Sequence, residues 1–167
     1  VQNAVKHAKI IRNYGQSVRY QHPELGLNSR LDEIQAALLL VRLKWLHIFT
    51  NRRKEIASNY NKYIDNEYIQ KLNIPEEKDS HVFHLYVINC NNRHKLQSYL
   101  EDRGIQSLIH YPVPIHKQKP CLNIKKDKNG LDRSMAHSNN CLSLPCHPQM
   151  SDEDIEIVID SVNDFMI

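Results

Sequence analysis

The stretch 31–50, LDEIQAALLLVRLKWLHIFT, places Leu31, Ile34, Leu38, Val41, Trp45 and Ile48 at alternating steps of three and four residues. That spacing lines up side chains on one face of a helix. Ala36, Ala37, Leu39, Leu40, Leu43 and Leu46 take up much of the remaining circumference. The helix is therefore apolar nearly all round and is expected to be buried on more than one side, with Trp45 in the core rather than serving as a ligand platform. A chain of 167 residues can hardly cover such a helix alone. The helical pattern runs on through 51–65 (NRRKEIASNYNKYID) but turns amphipathic, with Ile56, Tyr60, Tyr63 and Ile64 inward, and a bend is expected near Phe49–Asn51.

Upstream, Val5, Ala8 and Ile11 with basic residues between them predict an amphipathic helix over 2–13, ended by Asn13-Tyr14-Gly15 with Gly15 as its cap. Residues 16–30 lack periodicity and carry His22-Pro23 and Gly26. A loop of that length in a compact domain favours a functional role. Downstream, after a 73–80 loop, HVFHLYVI alternates as a strand over about 82–89, 93–103 reads as a helix stopped by Gly104, and 106–110 as a second short strand. Prolines 112, 114 and 120 make 111–121 extended. A short helix is expected over 131–140 and a brief extended piece over 143–145. Ser151–Asp154 resembles a capping box opening a last helix through Phe165. The expected class is α+β: residues 1–50 as loop and long helix, 51–167 as a small α/β domain.

Composition fits a globular domain, with 41% hydrophobic and 25% charged residues, and excludes disorder. The net charge is +3, from 22 basic and 19 acidic residues. The lysines are scattered, only 125–128 (KKDK) resembles a run, and nucleic acid is not an expected partner. No stretch approaches the roughly 18 apolar residues of a membrane span. Four cysteines are too sparse for a disulfide scaffold and point to free thiols in a cytoplasmic setting. The chain starts at Val1 inside a helical pattern, which reads as a piece of something longer.

Ten histidines invite a metal hypothesis. On a strand, however, His81 and His84 point to opposite faces, and Cys141…Cys146-His147 lacks zinc-finger spacing, so no metal is expected. Asn28-Ser29-Arg30 precedes the apolar helix. Ser29 or Asn28 can cap that helix, and the same helix N-terminus, with the Asn28 amide and the Arg30 fork, can take a phosphate or carboxylate. His110-Tyr111-Pro112-Val113-Pro114-Ile115-His116 presents two imidazoles and a phenol on a stiff loop, either as plain structure or toward a sugar or other polyhydroxylated ligand. No lysine stands in the surroundings that a Schiff-base lysine needs.

The string 12–46, RNYGQSVRYQHPELGLNSRLDEIQAALLLVRLKWL, resembles the segment of the DegT/DnrJ/StrS family of sugar-nucleotide aminotransferases that carries Arg-Asn-x-Gly, Gly-x-Asn-x-Arg and an acidic residue before Gln-Ala-Ala. HVFHLYVI (81–88), LEDRGIQSLIHYPVPIHKQ (100–118), LSLPCHP (142–148) and S-x-E-D-I (151–155) follow in the family's order. The resemblance covers only the C-terminal part of such enzymes. It implies a fold-type I enzyme using pyridoxal 5′-phosphate, a homodimer with active sites at the subunit interface, and a large upstream domain, absent here, that carries the Schiff-base lysine. It implies further that Asn28 reaches the cofactor phosphate of the neighbouring subunit and Arg30 the amino donor's carboxylate. On the same resemblance, His110, Tyr111 and His116 face the sugar, and Tyr14 and Tyr20 line the same cleft. The implied reaction moves the amino group of glutamate to a nucleotide-linked keto-deoxysugar for amino-sugar and polysaccharide biosynthesis. The long helix would pack on the large domain near the partner, and the chain alone is expected to be inactive. A sugar dehydratase of the same family, an inactive remnant serving oligomerisation and a stand-alone sugar-binding domain are the rivals.

Overall fold

The computed structural model describes residues 1–77, 80–125, 127, 128 and 130–167, so part of the 73–80 loop and Lys126 of the basic run lie outside the described residues. The chain forms two compact units, Val1–Leu46 and His47–Ile167. In the first, α1 spans Gln2–Ile11 and α2 Glu33–Leu43, joined by a long loop. The helical pattern after Leu31 is broken at Lys44–Trp45, where the Trp45 N–H bonds Arg42 O at 3.0 Å. This tight i→i−3 turn puts the bend ahead of the expected Phe49–Asn51, and α3 runs Leu46–Tyr63 beyond it.

Asp32 is the N-cap of α2, in extended conformation. The expected cap at Asn28 or Ser29 does not form, because the backbone there is taken: Ser29 N–H donates to Arg12 O, and Asn28 pairs with Asn13 as an antiparallel bridge. No residue of α2 is buried. Leu38, Leu40 and Leu43 are about 60% exposed, and Trp45 at 53% is not a core residue of this chain. The burial on more than one side expected from its apolar circumference is not met within this chain, in line with the expectation that 167 residues can hardly cover it.

The second unit is built on a three-stranded antiparallel sheet in the order β1 (Gln70–Lys71), β2 (Tyr86–Asn89), β3 (Cys141–Leu144). Register Tyr86↔Leu144 and Ile88↔Leu142 sets four apolar side chains on one face. They join Ile56, Tyr60 and Ile64 of α3, Leu96 and Leu100 of α4 (Arg93–Glu101), and Ile155, Val158 and Val162 of α6 (Asp152–Asn163) in one core. Between α4 and β3 lie two short 3₁₀ turns, Ile115–Lys117 and Lys119–Cys121, and α5 (Asp132–Asn140). Gly104, at φ 75°, stands just beyond α4 as expected. The capping box is present: Ser151 Oγ accepts from Asp154 N–H at 3.0 Å, and Asp154 Oδ2 accepts from Ser151 N–H at 2.9 Å.

The strand expected over 82–89 begins only at Tyr86. Phe83 takes φ 49° and donates its N–H to His81 Nδ1 at 3.0 Å, with the two rings 4.4 Å apart. That local turn uses the donor that a strand would need. Residues 106–110 contribute one bridge, Leu108↔Ser143, instead of a strand, because Pro145 beyond β3 has no N–H to extend the ladder.

Polar ties hold the helices to the sheet. Arg52 of α3 donates to Met150 O at 2.9 Å and Asp152 Oδ1 at 2.6 Å at the start of α6. The Asn66 amide donates to Val162 O and Phe165 O, satisfying carbonyls at the end of α6. Arg93 donates to Ser138 O and Cys141 O, fixing α4 to the α5–β3 corner. Tyr60 is fully buried, donates to Pro145 O at 2.8 Å and meets the Tyr86 ring edge-on at 5.0 Å. Among the described residues no helix is long and apolar enough to cross a membrane.

Tyr60→Phe leaves the Pro145 carbonyl without its buried donor and should cost about 1–2 kcal/mol, read as a lower urea midpoint; an unchanged midpoint contradicts the role given to this bond. Burial also pushes the Tyr60 and Tyr86 hydroxyls well above their ordinary range and the Cys146 thiol up to about 11 from 9.0. Folded values above unfolded ones mean a contribution fully present below pH 9 and lost as pH rises toward 11. The urea midpoint should therefore fall across that interval, and a flat profile would contradict the buried, neutral state of these groups.

Candidate functional site

The loop of the first unit returns onto the end of α1. Tyr14 (φ 58°) and Gly15 (φ 70°) turn left-handed, and Gly15 N–H closes on Ile10 O at 3.0 Å, a wide bond typical of helix C-termini. A Cβ on Gly15 would fall 1.8 Å from Glu24 O, and one on Gly26 would fall 1.9 Å from Gly15 N. Two glycines therefore permit the close crossing. Beside it, Tyr14 N–H donates to Leu27 O at 2.9 Å and Leu27 N–H to Ile11 O at 2.8 Å.

This pairing brings the two anion-site candidates together. Arg30 donates from Nε to Asn28 Oδ1 at 3.3 Å and from Nη1 to Asn13 Oδ1 at 3.5 Å, and its guanidinium stands 5.4 Å from the Tyr14 ring centroid. With Asn28 Oδ1 turned to Arg30, the amide NH₂ remains as a donor pair. Arg30 forms no ion pair with a carboxylate among the described residues. A cation and an amide donor on a fixed backbone suit an oxyanion. The donors come from this bridge and not from the helix N-terminus, because α2 starts only at Glu33. Asn13 is a member that sequence reasoning missed. The Arg-Asn-x-Gly signature contains it, but in the sequence pattern Asn13 marks only a helix end. Tyr20 is exposed and stacks with Arg19 at 5.0 Å, outside this cluster.

In the second unit the Leu108–Ser143 bridge sets His110 Nδ1 2.8 Å from Ser143 Oγ. His110 lines a cleft of about 600 Å³. Tyr111 takes φ 55° and is 82% exposed. Together with His116, from the first 3₁₀ turn, it lines a different cavity of about 710 Å³ with Ile115 and Ile124. The His110–His116 segment thus serves two cavities, although the His110 and Tyr111 rings are only 6.4 Å apart. The cleft of His110 also takes Arg53, His84 and His147, which sequence reasoning had not joined to it. His84 precedes β2, so the strand geometry used to separate it from His81 does not apply. Among the described residues no three His, Cys, Asp or Glu side chains group as a metal set.

The sequence profile of the DegT/DnrJ/EryC1/StrS aminotransferase family matches residues 2–163. The dTDP-3-amino-3,6-dideoxy-alpha-D-galactopyranose transaminase of Aneurinibacillus thermoaerophilus is 40% identical over 154 residues, which are 92% of this chain and 42% of that protein. Among solved structures, DesV of S. venezuelae in complex with a ketimine intermediate is 33% identical with a TM-score of 0.83, over 96% of this chain and 43% of that one. NtdA of Bacillus subtilis with bound cofactor PMP is 27% identical with a TM-score of 0.75, over 92% and 37%. The chain spans about two fifths of the length of the curated relatives it matches. Profile, relatives and fold agree over almost its whole length, and the chain belongs to the DegT/DnrJ/EryC1/StrS aminotransferase family.

Proposed function

We propose that this chain is the C-terminal part of a pyridoxal-phosphate-dependent aminotransferase that carries the amino group of glutamate to the keto carbon of a nucleotide-linked deoxysugar. The observation that carries the reading is the Asn28–Arg30 donor cluster, without a carboxylate, in a chain that matches this family from residue 2 to 163. The donor set fits two oxyanions: Asn28 offers amide N–H groups for the phosphate of the cofactor, and Arg30 a positive charge, fixed by Asn13 and Asn28, for the donor's carboxylate. When bound, the cofactor supplies the electron sink for moving an amino group between two carbon atoms.

In this reading Asn28 binds the phosphate in the neighbouring subunit and Arg30 holds the amino donor's carboxylate. His110, Tyr111 and His116 orient the sugar, with the His110 ring held by Ser143. Proton transfer at the reacting carbon belongs to a lysine on a large domain upstream of this segment. Two copies pair through the region of α2, whose exposed leucines supply apolar surface for a homodimer. The setting is the cytoplasm, where nucleotide sugars are aminated for polysaccharide synthesis.

The test uses the protein that carries the upstream lysine, compared with the 167-residue chain alone. The longer protein transaminates a nucleotide-linked keto sugar with glutamate and the short chain does not. Loss of one charge-assisted bond is worth about 1.5–3 kcal/mol, so Arg30→Ala should lower kcat/KM for glutamate roughly ten- to hundredfold while leaving KM for the sugar nucleotide near the parent value. Turnover by the short chain, or an Arg30→Ala enzyme with unaltered glutamate kinetics, would overturn the reading.

A further inference from the structure

The cleft of about 600 Å³ beside His110 is lined by a guanidinium whose buried N–H is unpaired. Arg53 sits on α3, its Nε is buried, and that N–H has no acceptor among the described residues. Buried donors of this kind are uncommon in native proteins and call for a partner. Around it the lining offers further donors. His84 and His147 contribute imidazoles, and His110, with Nδ1 held by Ser143 Oγ, lines the same cleft. Arg103 is stacked 3.6 Å over the Tyr99 ring, a fixed second positive charge on the rim.

Among the described lining residues one carboxylate, Asp154, would repel an anion. Burial raises the Cys146 thiol to about 11, so it stays neutral. The carboxylate of Asp154 is engaged in the capping box with Ser151 and stands near His147. Two guanidinia and three imidazoles in a cleft of ligand size suit a polyanion better than a neutral sugar.

We infer that this cleft binds the diphosphate of the nucleotide-linked substrate, with Arg53 as its principal cation. The inference rests on the sugar-nucleotide reading above and adds a place for the charged half of that substrate. His110, at the edge of this cleft and adjacent in sequence to Tyr111, then stands where the diphosphate passes to the sugar. Arg53 acts by binding and takes no part in the chemistry.

The test is calorimetric titration of the 167-residue chain with dTDP, inorganic pyrophosphate and thymidine. dTDP and pyrophosphate bind, thymidine does not, and acetate at equal concentration fails to displace dTDP. Arg53→Gln weakens dTDP at least tenfold and Arg53→Lys recovers part of the loss, with urea midpoints checking that both variants fold. Equal affinity for thymidine and dTDP, displacement by acetate, or a Gln variant that binds dTDP as well as the parent overturns the inference. The titrations involve no amino transfer, so the two claims fail separately. An active full-length enzyme whose KM for the sugar nucleotide is unmoved by Arg53→Gln sinks the cleft assignment alone. A protein that binds dTDP here and transfers no amino group sinks the aminotransferase reading alone.

Discussion

Two missing β-carbons set the course of the first unit. Gly15 and Gly26 cross with Glu24 O and Gly15 N where side-chain carbons would otherwise be, and any other residue at either position forces the strands apart. Because they can cross, residues 27–29 zip onto 11–14, Asn28 lands opposite Asn13, and Arg30 is delivered to both amide oxygens. The placement of the Arg30 charge therefore follows from backbone pairing and owes nothing to burial, since every member of the cluster is at least partly exposed. A rigid backbone is what a site needs to hold donors for an anion without a packed core beneath it.

The second unit solves the same problem with a sheet. β3 is buried at all four positions, so its Ser143 is a fixed point, and both the Leu108 bridge and the His110 imidazole attach to it. Polar clasps at Asn66, Arg52 and Arg93 lock the helices around that strand. Side chains lining the cleft thus come from α3, the approach to β2, the stretch from Arg103 to His110, β3 with the turn after it, and α6, segments distant in sequence and joined by one core. The family match spans both units, and the solved relatives DesV and NtdA share the fold at TM-scores of 0.83 and 0.75.

Much of this was legible in the residues. Periodicity located α1, α4 and α5 closely, Ser151 and Asp154 announced the start of α6, and the apolar circumference of α2 declared a helix that this chain does not cover. Local patterns failed where distant backbone competes for the same groups. The Asn28 cap was lost to Asn13, the strand at 82–85 to a His81–Phe83 turn, and the strand at 106–110 to the missing N–H of Pro145. β1, two residues long, has no periodicity to detect. The cation cleft was invisible for a related reason: Arg53 and His147 are 94 positions apart, and only the fold makes them neighbours of one space. The motifs did carry Asn28, Arg30 and His110, because those residues lie in compact signatures.

The claim on which most else depends is that the glycine crossing builds an oxyanion site from Asn28 and Arg30. The direct measurement is a titration of the isotope-labelled chain with inorganic phosphate, following the side-chain N–H signals of Asn28 and Arg30 by NMR in the parent and in Gly26→Ala. The structure predicts that both signals move saturably in the parent and that neither does in Gly26→Ala, while core signals of the second unit stay in place. Signals that ignore phosphate in the parent, or that respond equally in Gly26→Ala, would contradict it.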